Sequence, residues 1–163
     1  MELINHSIQW VKGEVLQGRI GFAAGILIAL AFLYFADFEQ SFYKGMILPM
    51  VILQLVLLGY SGFQMVMRPK HIEKVGQEIQ LNPVNAVNME LEKSKKDDKI
   101  FSIIRIVWAG LFVVSLVLFF ILKSEFFKGM GLGFVVFFGI AFIFDSFLHY
   151  RLKTYLTALQ QLS

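Results

Sequence analysis

The chain has 163 residues, of which 57% are hydrophobic and 17% charged, with a formal net charge of +3. Soluble domains carry roughly 25% charged residues, so the composition argues against an ordinary water-soluble fold. The lack of cysteine excludes disulfides, thiol nucleophiles and thiolate metal sites, and so small a net charge leaves no electrostatic footprint for nucleic acid.

The first nineteen residues, "MELINHSIQWVKGEVLQGR", place Ile4, Ile8, Val11 and Val15 at spacings of four, three and four. That is one stripe of a helix. The expected element is an N-terminal amphipathic helix lying along the inner membrane surface, with Trp10 at headgroup level. The alternative is a stripe packed on the central part of the chain. No apolar core of a secretory signal precedes the first long apolar run, which is expected to act as its own insertion signal.

Four stretches then lack any charge: Ile20–Ala36, Gly45–Met67, Ile106–Leu122 and Gly129–Phe144. A helix rises about 1.5 Å per residue, so a hydrocarbon core of roughly 30 Å needs about 20 apolar residues. With flanking residues added, the expected transmembrane helices cover about 20–38, 45–67, 101–122 and 129–150. Within the second, Pro49 removes a backbone donor and can bend the helix. Gln54 needs a hydrogen-bond partner on a neighbouring helix, and Tyr60 is a further polar candidate. Asp37 and Glu39, in the first turn, are expected in external water.

"SFYKGMIL" at 41–48 is nearly repeated by "EFFKGMGL" at 125–132, an offset of 84. With small length adjustments, Arg19 aligns with Arg105, and Arg68–Lys70 aligns with Arg151–Lys153. Charged landmarks in one order point to a duplication, with units 1–81 and 82–163. The expected fold is an all-α integral membrane protein, its four transmembrane helices forming two tandem, parallel-oriented helical hairpins. Such copies are related by an axis along the membrane normal. Twelve Lys and Arg lie in the N-terminal, central and C-terminal segments, against Lys44, Lys123 and Lys128 in the two turns. This bias puts both termini in the cytoplasm, on the inner side of the cell membrane.

The central stretch, Pro69–Lys99, is the helical cytoplasmic segment. Pro69 is read as lying in the first turn of a helix. Asn82-Pro83 marks a stop and a fresh start capped by Asn82. The run "EKSKKDDK" at 92–99 reads as a solvated helix face, or else as a surface for a partner or anionic lipid.

In the second copy Arg105 and Asp145 fall at similar depth near the inner edge of the bilayer. Asp145, whose counterpart in the first copy is Ser61, is expected to pair with Arg105 or with Arg19, which would lower the cost of a charge there. His149 lies one turn from Asp145, so a relay site or two ligands of a metal are conceivable, although a metal needs more ligands. Asp145, Arg105, Arg19 and His149 therefore form the candidate intramembrane polar cluster, with Gln54 and Tyr60 as lesser candidates. Glycines four apart at Gly21/Gly25 and Gly129/Gly133 allow close helix packing.

No phosphate-binding loop, nucleophile elbow, zinc-protease helix or haem attachment motif occurs, and no catalytic residue, metal or cofactor is expected. The leading expectation is a non-enzymatic membrane subunit that self-assembles or docks a partner membrane protein through its cytoplasmic segment, in contact with membrane lipids. One alternative is an oligomeric transporter or channel using the polar site around Asp145. The other is a membrane enzyme acting on lipid or quinone, which lacks a cluster of acid, base and nucleophile.

Overall fold

The structure, a computed structural model, describes residues 2–162. It is all-helical: α1 spans Glu2–Phe35, α2 Ser41–Leu81, α3 Pro83–Ile121 and α4 Glu125–Leu162. Each helix is long and apolar enough to cross a membrane. At 34 to 41 residues they run to roughly 51–61 Å, well beyond a hydrocarbon core of about 30 Å. The surplus length of all four lies at the end that holds Glu2, Leu162 and the α2–α3 junction. We refer to that as the terminal end, and to the other as the turn end.

Three features differ from the expectations above. The N-terminal segment is no separate surface helix; it is the first half of α1, continuous with the first apolar run. Its buried line passes through Leu3, Ser7, Trp10, Glu14, Gln17, Gly21 and Gly25, beside the stripe read from Ile4 to Val15. Trp10 sits in packed core, 8% exposed, where a headgroup position was expected. Pro69 starts nothing: α2 continues through both Pro49 and Pro69 to Leu81. The break comes at Asn82, as expected. Its extended backbone ends α2, its Oδ1 accepts from the Asn85 N–H at 3.0 Å, and Pro83 occupies the first turn of α3.

Helices α2 and α4 pack along the centre. α1 rests mainly on α2 and less on α4, while α3 rests mainly on α4 and less on α2. Two apolar cores follow. At the turn end, Met46, Met50, Leu53 and Leu57 of α2 meet Phe137 of α4. At the terminal end, Leu3, Trp10 and Val11, Val75, Ala86 and Leu91, and Leu152, Tyr155 and Leu159 bring together all four helices. The outer faces of the apolar runs stay greasy; Leu55, Ile106 and Phe120 are among the most exposed residues there.

The closest approach is between α2 and α4 near the turns. A methyl placed on Gly45 would overlap the carbonyl oxygen of Phe126, and one on Gly129 would overlap the carbonyl oxygen of Phe42. Both pairs are related by the 84-residue offset. In each, a glycine Cα–H points at a backbone oxygen, a contact that only a residue without Cβ permits. One turn further along, Gly133 receives the ring of Pro49.

Candidate functional site

Between the two cores runs a polar belt, level with the inner ends of the expected spans. On its α1–α2 side Glu14 is 1% exposed and pairs with Arg68, Nε to Oε2 2.7 Å. The Arg68 guanidinium also lies over the Trp10 ring, 5.0 Å from its centroid. Burial pushes the Glu14 carboxyl above its usual range, opposed by Arg68, Arg151 and Gln64. From α4, Arg151 donates to the Gly13 carbonyl and to Gln17 Oε1, and Gln17 Nε2 donates to the Phe144 carbonyl at 2.8 Å. These bonds tie α1 to α4 through their side chains.

On the α3–α4 side the expected partners are rearranged. Asp145 makes no close ion pair with Arg105 or Arg19, although the Arg105 charge still acts on it; its Oδ2 accepts from the Trp108 indole N–H at 2.5 Å. Arg105 turns to His149 Nδ1 at 2.5 Å. A guanidinium can only donate, so Nδ1 accepts, and Nε2–H donates to Asp98 Oδ1 at 2.6 Å. Arg19 is exposed on α1, away from this group. The reason is helix rotation: the buried face of α1 carries Glu14, Gln17, Gly18 and Gly21, leaving Arg19 and Ile20 outward. Gln54 sits against Gly25 of α1, and Tyr60 stacks with Phe63.

A cavity of about 590 Å³ opens between α2 and α3, with α4 as its floor. Its lining is apolar apart from Tyr60, Ser61, Trp108 and Asp145, the last two joined by the hydrogen bond given above. Ser61 and Asp145, the positions aligned by the 84-residue offset, thus line the same space. Ser61 is fully buried and its Oγ has no hydrogen-bond partner.

Deeper in the terminal end lies a second network that sequence reasoning missed. Ser7 bonds to the Tyr155 hydroxyl at 2.8 Å, and Tyr155 donates to Glu90 Oε2 at 3.2 Å. His71 Nε2 meets the same oxygen at 3.1 Å, with Lys93 at His71 Nδ1. Residues of α2 and α4 therefore meet the Glu90 carboxylate of α3, and Ser7 of α1 joins them through Tyr155. Burial raises the Glu90 pKa, but His71, Lys93 and Tyr155 outweigh it, and the carboxyl lies below its ordinary value. A carboxyl held low stabilises the fold above its unfolded pKa and loses that contribution as pH falls through the folded one. Thermal unfolding in detergent is therefore expected to show stability declining below pH 4.5, the ordinary value, with the decline blunted in Glu90→Gln. At neutral pH that variant should lose roughly 1.5–3 kcal/mol, the span of hydrogen bonds to a charged group.

The sequence did hold a signal for this face. Leu3, Ser7, Trp10, Glu14, Gln17, Gly21 and Gly25 recur three or four apart, and Ser7, Glu14 and Gln17 among them continue the line of the glycine pair of the first span. Among the described residues, no group of three or more His, Asp or Glu side chains is placed to hold a metal ion. Asp145 and His149 engage the separate partners given above. No family model matches the chain, and no curated protein or solved structure is found to be similar to it.

Proposed function

We propose that this chain is a non-catalytic membrane subunit that inserts as two like-oriented hairpins and self-assembles through the tip of its cytoplasmic end. The outward apolar faces of the four helices support insertion, since soluble monomers rarely expose contiguous patches beyond a few hundred Å². The Lys and Arg bias supports placing the terminal end in the cytoplasm. The reciprocal Gly45–Phe126 and Gly129–Phe42 contacts support an ancestral duplication.

The observation that carries the assembly reading is at the α2–α3 junction. Leu81 is 87% exposed and Val84 72% exposed, at the end of the bundle farthest from the expected bilayer. Residues 79–89 carry no charge. Two identical copies can therefore meet there without like-charge repulsion, as a two-fold contact requires. Alongside, Glu92, Lys95, Lys96 and Lys99 keep the flanking face of α3 charged and solvated.

The test is the mass of the protein purified in mild detergent. The unaltered chain is expected as a dimer or larger, and the double variant Leu81→Ser/Val84→Ser as a monomer of unchanged helicity. A monomeric, folded unaltered chain ends the self-assembly reading.

A further inference from the structure

We propose that the cavity between α2 and α3 binds a lipophilic amine: an ammonium head at Asp145 carried on an apolar, phosphate-free body. The volume of about 590 Å³ lies within the roughly 300–1,000 Å³ of small-molecule sites. Like those sites, it combines apolar walls with a few convergent polar groups.

The lining holds a single charged residue, Asp145. Its Oδ2 is occupied by the Trp108 indole, which fixes the carboxylate and leaves Oδ1 for a ligand. No cation of the described residues stands within ion-pair distance of it, the Arg105 charge acting on it from farther off. Arg105, the neighbouring positive group, is held by His149 and lies over the Phe142 ring, and it does not line the cavity. A carboxylate in the wall of an apolar cavity favours a ligand that brings a positive charge into direct contact with it.

A further observation points the same way. The aromatic faces of Trp108, Phe137 and Phe144 are suited to a cation next to the carboxylate. No Lys or Arg lines the space to receive a phosphate, which argues for a free amine over an aminophospholipid. Because α2 and α3 touch little, the ligand enters sideways between them, from the hydrocarbon if the chain is membrane-embedded.

The test compares two probes of one shape, 1-naphthylmethylamine and the neutral 1-naphthylmethanol, by titration calorimetry of the full chain in mild detergent. The amine is expected to bind roughly ten- to hundredfold more tightly, the span of a charge-assisted hydrogen bond. Asp145→Asn should abolish the preference. A methyl on Gly59, a lining residue, has nothing within 4 Å, so Gly59→Leu adds bulk to the lining without pressing its Cβ on a neighbour. This second variant should weaken binding of both probes while keeping Asp145, so a failure of Asp145→Asn to fold leaves the proposal open to refutation. Equal affinity for amine and alcohol overturns it, as do affinities for both probes that Gly59→Leu leaves unchanged. Native mass spectrometry supplies the last arm: a retained phosphatidylethanolamine, displaced by neither probe, overturns the free-amine assignment. None of these readouts depends on the oligomeric state.

Discussion

Gly45→Ala and Gly129→Ala are each expected to lower the unfolding temperature in detergent more than any other single methyl added to this protein. Alanine ordinarily stabilises a helix relative to glycine by roughly 0.5–1 kcal/mol. At these two positions the new Cβ overlaps a backbone carbonyl, of Phe126 and Phe42 respectively. Neither oxygen can move without its helix. The α2–α4 separation must therefore widen, which also loosens the seat of Pro49 on Gly133. Overpacking typically costs about 1–3 kcal/mol and occasionally more, and with no flexible side chain to yield, the upper end or beyond is expected. The two substitutions act on one interface, so the double variant should cost less than the sum. Gly59→Ala, Gly62→Ala and Gly110→Ala serve as controls. Nothing lies within 4 Å of a methyl at any of them, and each should gain the ordinary helix increment. A neutral Gly45→Ala removes the central contact from this description.

The second large effect is expected at the Glu14–Arg68 pair. Arg68→Ala leaves a carboxylate that is 1% exposed without its nearest cation. Breaking a buried pair from one side costs about 3–5 kcal/mol, while replacing both members by apolar residues is often neutral or stabilising. Arg68→Ala should thus be severe, Arg68→Ala/Glu14→Gln partly rescued, and Arg68→Met/Glu14→Leu close to the unaltered protein. The pH dependence has the opposite sign to that of Glu90. A carboxyl whose folded pKa is raised contributes most below its unfolded value, and the contribution is lost as pH rises through the folded one. Acidification should therefore narrow the gap between Arg68→Ala and the unaltered chain. A cost of only about 0–1 kcal/mol, typical of a surface pair, in unfolding titrations would show that water reaches Glu14.

Both effects rest on residues whose importance the sequence conveys unevenly. The glycines were visible, because "KGM" recurs at an offset of 84 in otherwise uninformative apolar surroundings. Their reciprocal contact was not, since the repeat says nothing about which faces of α2 and α4 meet. Glu14 and Arg68 stand 54 positions apart in the numbering and share no motif. Asp145 and His149 were singled out as charges near the membrane edge, but the partner of the first is the Trp108 indole, a group whose polarity hydropathy counts conceal. Arg19 joins them through its alignment with Arg105 in the repeat, and a matching place in the chain does not fix the direction in which a side chain points.

What the sequence settled by itself is local: four long apolar helices, the turns between them, and the capped break at Asn82-Pro83. Helix formation, hydrophobicity and capping are decided within a few residues, so they can be read without knowing the neighbours. Tertiary structure decided the rotation of each helix and the extension of all four past the apolar runs into a second core. In a uniformly apolar segment every face looks alike, and the choice falls to close glycine approaches and to polar groups seeking partners on other helices. Those partners are defined only once the chain has folded.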